Sequence, residues 1–276
     1  MQAILNSRDI GYLKARATEM RIEILKMLEK SGSGHTGGSL SAADIVAALY
    51  FYKMKHHPGD PDWAGRDRFI LSKGHAAPVL YTALALTGYF DKALLDSLRR
   101  VGCPLQGHPS SKLLNGVEIS TGSLGQGLSI ANGIAMGLRL DKSDARVYCL
   151  LGDGETQEGQ VWEAAMSASH YGLDNLCAFV DHNGLQIDGR CCDVMNIEPV
   201  ADKWTAFGWH TISIDGHDMQ SIVEALDAAE KVKGKPCMIV AKTVKGKGVS
   251  IFEGKAEYHG ITPTKEELEI AMKELS

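Results

Sequence analysis

The sequence predicts an α/β protein: a doubly wound, mostly parallel sheet with helices on both faces. Three observations carry that expectation. Short apolar runs such as "RVYCLLGDG" (146–154), "LCAFVDHNG" (176–184) and "CMIVAKTVKGKG" (237–248) are nearly continuous, as strands buried on both faces are. Segments with helical apolar spacing lie between them. Each run closes on glycine or polar residues.

The elements follow in chain order. Ile10, Leu13, Ala17, Met20, Ile24 and Met27 recur at steps of three and four, which predicts an opening amphipathic helix. It is expected to break at "SGSGHTGGS" (31–39), too glycine-rich to stay helical. Ser41 and Asp44 fit a capping box before a second apolar helix, "IVAALYF". "RFILSKGH" (68–75) reads as a strand, followed by a helix from Pro78 to about Thr87. "STGSLGQGLSIANGIAMG" (120–137) has a helical apolar period from near Leu124, yet carries Gly125, Gly127, Gly133 and Gly137. Helical glycines cost about 0.5–1 kcal/mol each, so close approach of another backbone or a ligand is one reason to keep them. "QVWEAAMSASHYG" (160–172) reads as the helix after the second strand. "WHTISIDG" (209–216) leads through a helix near 218–233 into the last strand. Thr264, with Glu267 three residues on, caps a closing helix. The expectation is a single domain over residues 1–276, with an N-terminal helical segment at 1–60 and a short C-terminal helix at 264–275.

Composition excludes several functions. A net charge of −5 argues against a nucleic-acid or anionic-membrane surface. No apolar stretch approaches the roughly 20 residues of a membrane span. The N-terminus, "MQAILNSRDIGYLKARATEM", lacks a signal-peptide pattern, which predicts a cytoplasmic location. None of the cysteines forms a C-x-x-C pair. Cys149 and Cys177 sit in strand-like runs as small hydrophobes. The vicinal Cys191 and Cys192 read as reduced loop residues, with a redox switch as the alternative.

The chemistry concentrates at strand ends, where ligands of parallel sheets collect. One run ends in "SKGH" with His75, the next in "GDG" with Asp153, the third in "DHNG" with Asn183 followed by Leu185. The spacing from Asp153 to Asn183 accommodates one strand–helix–strand unit, so both can sit on neighbouring tips. A carboxylate, an amide oxygen and a backbone carbonyl are hard ligands suited to Mg²⁺ or Ca²⁺. Gly152 and Gly154 let backbone pass close to phosphates, and the following helix start favours anions. A G-x-G-x-x-G after the first strand and a P-loop are both absent.

"LGDGETQEG" through "DHNGLQIDG" resembles the thiamine-diphosphate motif, and the flanking segments resemble transketolase. These are "SGHTGGSLS" (33–41), "PDWAGRDRFILSKGHAAPVLY" (61–81), "GHPS" (107–110), "GVEISTGSLGQGLSIANGIAMG" (116–137) and "HG" (259–260). The resemblance implies the thiamine diphosphate-binding fold, spans nearly the whole chain, and covers only the N-terminal, diphosphate-binding domain of a full-length transketolase. It implies that Asp153, Asn183 and the Leu185 carbonyl hold Mg²⁺ (or Ca²⁺). By the same resemblance, Gly154 and His75 would touch the diphosphate, and Gly122 and Leu124 would border the aminopyrimidine. His35, His108 and His259 would face the reacting sugar, His259 also on the cofactor side. Lys245 stands where some relatives place a lysine near the diphosphate and others an aliphatic residue. Glu158 joins an interdomain network across a subunit interface, whereas Glu155 reads as a helix-start carboxylate only. "DHN" departs from the two asparagines of many thiamine enzymes, but Asn183 keeps the ligand position. The remaining histidines carry no motif: His56 and His57 are expected in a solvated loop, and His170, His182, His210 and His217 as ordinary surface residues.

The implied reaction transfers a two-carbon ketol unit from a ketose phosphate to an aldose phosphate, with imidazoles moving protons on the sugar oxygens. A glutamate for the aminopyrimidine, its aromatic pocket and the residues that grip a sugar phosphate are not found in this sequence. The expectation is therefore a chain inert alone, active with a separate subunit carrying the pyrimidine-binding and C-terminal domains, as a dimer of heterodimers. The alternatives are a ketol transferase on an unusual sugar, a deoxyxylulose-phosphate synthase-like half, or a non-catalytic scaffold.

Overall fold

The computed structural model describes residues 7–276; the first six residues of the expected 1–60 helical segment lie outside the described residues. Helix α1 (Ile10–Ser31) starts at Asp9, whose carboxylate accepts the Tyr12 N–H, and stops at Gly32 in the left-handed region, φ 62°. Its apolar stripe is buried at Leu13, Ala17, Met20, Ile24 and Met27, as expected.

The glycine-rich break is shorter than its composition implied. After Gly32–Thr36 the chain is helical again in α2 (Gly37–Ser41) and α3 (Ala43–Ala48), which continues into a π-helical turn, Leu49–Lys53. The Ser41–Asp44 capping box does not form. Ser41 donates instead to Asp181, 2.6 Å away, and Asp44 pairs with Arg21 and with His217. Partners from distant segments reach these buried side chains in place of the capping bonds, although Ser41 also keeps a 3.3 Å bond to the Gly38 carbonyl. His56 is likewise no solvated loop residue: it is buried, 2.9 Å from the Tyr50 carbonyl and stacked on Tyr89.

Five strands form one parallel sheet. They are β1 (Arg68–Leu71), β2 (Val147–Gly152), β3 (Leu176–His182), β6 (His210–Asp215) and β7 (Cys237–Lys242), in the order β1-β2-β3-β7-β6. A small antiparallel hairpin, β4 (Leu185–Gln186) with β5 (Gly189–Arg190), follows β3. The other helices are α4 (Ala77–Thr87), α5 (Gln126–Leu140), α6 (Gly159–His170), α7 (Cys191–Val194), α8 (Val200–Ala206), α9 (Met219–Lys231) and α10 (Lys265–Glu274). The Thr264–Glu267 capping box that opens α10 forms as expected.

Alternation along β2 shows why its sequence is apolar throughout. Tyr148 and Leu150 pack into a core with α1, α3, α4 and α9, whereas Val147, Cys149 and Leu151 pack into a second core with α5, α6 and α8. Each strand residue therefore meets a helix layer on one face or the other. After β3 the chain runs to the sheet edge as β6 and returns to insert β7 beside β3. The carboxyl ends of the strands of such a sheet are where its ligands bind. Among the described residues, no helix is long and apolar enough to cross a membrane.

The α5 glycines divide into two kinds. A Cβ on Gly127 would lie 2.4 Å from Ser72 Oγ and 2.8 Å from its Cα, so this glycine lets α5 press against the turn after β1. A Cβ on Gly133 would meet nothing within 4 Å. Gly127→Ala is expected to destabilise the chain by about 1–3 kcal/mol through overpacking, and Gly133→Ala to stabilise it by about 0.5–1 kcal/mol. Thermal unfolding midpoints of the two variants should move in opposite directions from the parent.

Candidate active site

The strand tips carry the functional groups. Register pairs Gly152 of β2 with Asp181 of β3, so Asp153 and Asn183 leave adjoining strands together. The Asp153 carboxylate is buried and accepts the backbone N–H of Gly154 at 2.8 Å and that of Gly184, the residue after Asn183. Asn183 Oδ1 takes the Leu185 N–H at 3.1 Å. The Leu185 carbonyl accepts from Lys245 Nζ, also at 3.1 Å. Asp153, Asn183 and Leu185 thus line one cleft of about 270 Å³, together with His75, Leu124, Gly154, Glu158, Lys245 and His259.

The floor of the cleft is ionic and buried. Lys73 and Asp181, 1% and 0% exposed, form an ion pair. Lys73 also donates to the Gly38 carbonyl at 2.8 Å, and Asp181 accepts from Ser41 and Thr243. Burial pushes the Asp181 carboxyl up; Lys73 and the two hydroxyls overcome that and hold it below the usual carboxylate range. Neither Lys73 nor Asp181 was singled out by sequence. The available signal was a lysine and an aspartate directly at the ends of two buried strands, where a charge has to find a partner.

Glu155 corrects an expectation. It is not a plain helix-start carboxylate: it is buried and accepts from Gly125 N at 2.9 Å, from Gly152 N at 3.0 Å and from Ser72 Oγ. It ties the tips of β1 and β2 to the start of α5. Burial raises its pKa even so. Glu158, by contrast, is exposed, and its Cβ region lies where a Cβ on Gly125 would be 2.8 Å away. Cys191 is also more than a loop residue. It opens α7, is buried, and its thiol is pushed up to about 12 by burial and by Asp153 beside it, whereas Cys192 is exposed; both thiols are free.

Above the floor, four imidazoles from four segments converge. Ring centroids of His35 lie 5.2 Å from His75, 5.5 Å from His259 and 6.3 Å from His108; His75 stacks on His259 at 4.9 Å. Glycines make room for them. Gly122, at φ +142°, passes where a Cβ would sit 3.0 Å from the His108 ring, and a Cβ on Gly37 would be 2.7 Å from Lys245 Cγ. Lys245 is buried and lies 3.0 Å from His259 Nδ1; burial, and then Lys73, bring its pKa down to about 8. The histidines left without motif lie outside this cluster: His182 pairs with Glu198, and His217 bridges Asp44 and the Val244 N–H.

All four clustered imidazoles favour their neutral form. His35 is lowered to about 4 by burial, Arg99, His108 and Lys245, and His259 to about 3 by burial, Lys245, His35 and Lys73. His75 and His108 are lowered too, chiefly by burial. A neutral imidazole offers one N–H and one lone pair, so it can give a hydrogen bond to an oxygen and accept a proton.

Hard oxygens at the tips, cationic nitrogens around them and glycine walls define a class of site: a polar cleft with the chemistry to take an anionic ligand. Comparison with known proteins narrows the class. Residues 13–276 match the family model described as transketolase, thiamine diphosphate binding domain. The chain is 48% identical over 263 residues to the 6-deoxy-6-sulfo-D-fructose transketolase subunit SqwG of Clostridium sp. (strain MSTE9), covering 95% of this chain and 96% of that protein. It is 40% identical over 267 residues to an apulose-4-phosphate transketolase subunit of Phocaeicola vulgatus, covering 97% of this chain and 95% of that protein. The crystal structure of transketolase from Campylobacter jejuni superposes with a TM-score of 0.92 at 37% identity, covering 97% of this chain and 43% of that one. The chain belongs to the transketolase family, as its N-terminal thiamine diphosphate-binding domain. It spans under half the length of the full-length transketolases it matches.

Two outcomes test this electrostatic picture. Lys73→Met leaves a buried carboxylate unpaired and should lower the unfolding free energy by about 3–5 kcal/mol, most of which Lys73→Met with Asp181→Leu restores; urea titration decides, and an unchanged midpoint in the single variant contradicts the pair's role. The second concerns pH. Folded His35 and His259 bind protons only near pH 4 and 3, while the unfolded chain binds them below about 6.5. The unfolded state therefore holds more protons in that window, and stability falls as pH drops from about 6.5 towards 4. Replacing both by Gln should flatten the dependence of the urea midpoint on pH over that range.

Proposed function

We propose that this chain is the N-terminal subunit of a thiamine diphosphate-dependent transketolase, transferring a two-carbon ketol unit from a ketose phosphate to an aldose phosphate. The observation that carries the reading is the convergence of Asp153 and Asn183 at adjoining strand tips, beneath four imidazoles and Lys245. When bound, thiamine diphosphate supplies the carbon nucleophile and electron sink for breaking a carbon–carbon bond beside a carbonyl. This chain binds, orients and moves protons.

Asp153, Asn183 Oδ1 and the Leu185 carbonyl are assigned to a divalent cation, Mg²⁺ or Ca²⁺. The fit rests on Asp153: burial and the nearby Asp181 raise its pKa, so its ionised form gains from a cation. Lys245, the cation that now touches the Leu185 carbonyl, supports the same point. Gly154 and His75 are assigned to the diphosphate, with Lys245 adding charge. A Cβ on Gly154 would lie 3.1 Å from Gln186 Cβ, so glycine keeps that wall open. Gly122 and Leu124 border the ring end. His35, His108 and His259 hydrogen-bond the sugar oxygens and carry protons between them, which neutral imidazoles can do.

The rest of the machinery is assigned to a separate subunit with the pyrimidine-binding and C-terminal domains, in a dimer of heterodimers. Two relatives that match nearly end to end bear the word subunit in their names, which supports this assignment. Exposed Glu158 at the cleft rim suits a residue completed across that interface. The names of those relatives, a sulfo-sugar and a sugar phosphate, favour a substrate with an anionic end.

Titration calorimetry of thiamine diphosphate into the assembled complex is expected to show binding only with Mg²⁺ or Ca²⁺ present. Asp153→Ala should weaken it by about 10–100-fold or more, as loss of a metal ligand or its supporting shell does. Absence of cofactor binding by the wild-type complex would favour a scaffold and end the enzymatic reading.

A further inference from the structure

One charged residue beside the imidazole cluster has no role in the assignments above. Arg99 is a non-glycine residue in the left-handed region, φ 59°. The other among the described residues, Lys142, sits in a turn after α5. A side chain pays steric energy for that conformation, so the surroundings must hold it there. The Arg99 N–H does bond the Leu105 carbonyl at 2.8 Å. This bond turns the arginine back over the segment that leads to His108.

Its guanidinium reaches both histidine-bearing loops. It donates to Ser33 Oγ at 2.8 Å, two residues before His35, and lies 3.4 Å from His35 Nδ1 and 3.5 Å from the Gly107 carbonyl, next to His108. A Cβ on Gly107 would sit 3.0 Å from the guanidinium carbon, so glycine there makes the approach possible. No carboxylate pairs with Arg99 among the described residues, unlike Arg21, Arg66 and Arg68.

We propose that Arg99 is a positioning residue of this site, clamping the His35 loop to the His108 loop with its charge left unpaired toward the rings. The planar fork explains why arginine fits: several N–H groups in fixed directions reach acceptors on two loops at once, which one ammonium cannot do. Its charge also contributes to holding both rings neutral, after burial in each case. His35 is faced besides by His108, Lys245, His75 and His259.

The catalytic consequence rests on the transketolase reading; the clamp does not. The test compares Arg99→Gln and Arg99→Lys in the full chain by imidazole NMR, with thermal unfolding as a folding control. Both variants are expected to lose nuclear Overhauser contacts between the His35 and His108 rings. Arg99→Gln should in addition shift the onset of His35 and His108 protonation to higher pH by about half a unit or more, while Arg99→Lys keeps it. Ring contacts retained in both variants overturn the clamp, and an onset unmoved in Arg99→Gln overturns the facing charge. In the assembled complex, kcat/KM should fall at least about tenfold in both variants, as misplaced catalytic groups cost. Wild-type complex without two-carbon transfer refutes the proposed function instead and leaves the ring measurements standing.

Discussion

The buried pair of Lys73 and Asp181 is the constraint on which the site depends. Two charges this far from water survive only if their remaining polar atoms are satisfied. Here they are, by groups from four places: Gly38 and Ser41 in α2, Thr243 after β7, and the pair itself at the ends of β1 and β3. Satisfying them fixes the mutual position of the strand tips and of the glycine-rich segment that carries His35. Glu155 does the equivalent work between β1, β2 and α5. The cleft above inherits its shape from these two carboxylates.

The same floor sets the electrostatics. Burial, and then Lys73, lowers the pKa of Lys245; burial first, with the two lysines after it, also keeps His75 and His259 neutral. The cleft therefore combines positive charge on its lysines with imidazoles that keep a free lone pair. A cleft rich in charged imidazolium would lose the lone pairs through which neutral imidazoles accept protons.

Much of this was legible. Near-continuous apolar runs foretold strands covered on both faces, because a residue that meets a helix layer on either side has no polar option. The α1 stripe and the Thr264 cap were also readable, since both are local. What failed had one cause. Ser41 and Asp44 fit a local cap and Glu155 a helix start, yet each is claimed by partners far along the chain; His56 fits a solvated loop, yet beside the nearby Tyr50 carbonyl it stacks on the distant Tyr89. Arg99 escaped for the same reason: nothing adjacent in sequence marks a charge that bridges loops.

By itself the sequence determined the kind of elements, their order, and the residue types at each strand tip, because periodicity and glycine placement act over a few residues. Only the tertiary structure decided which side chains share a hydrogen-bond network and how far apart the imidazoles stand. Those depend on through-space distances between segments up to 225 residues apart, as in the Thr36 bond to the Ile261 carbonyl. Distances of that kind emerge when the sheet order inserts β7 beside β3, which no local pattern encodes.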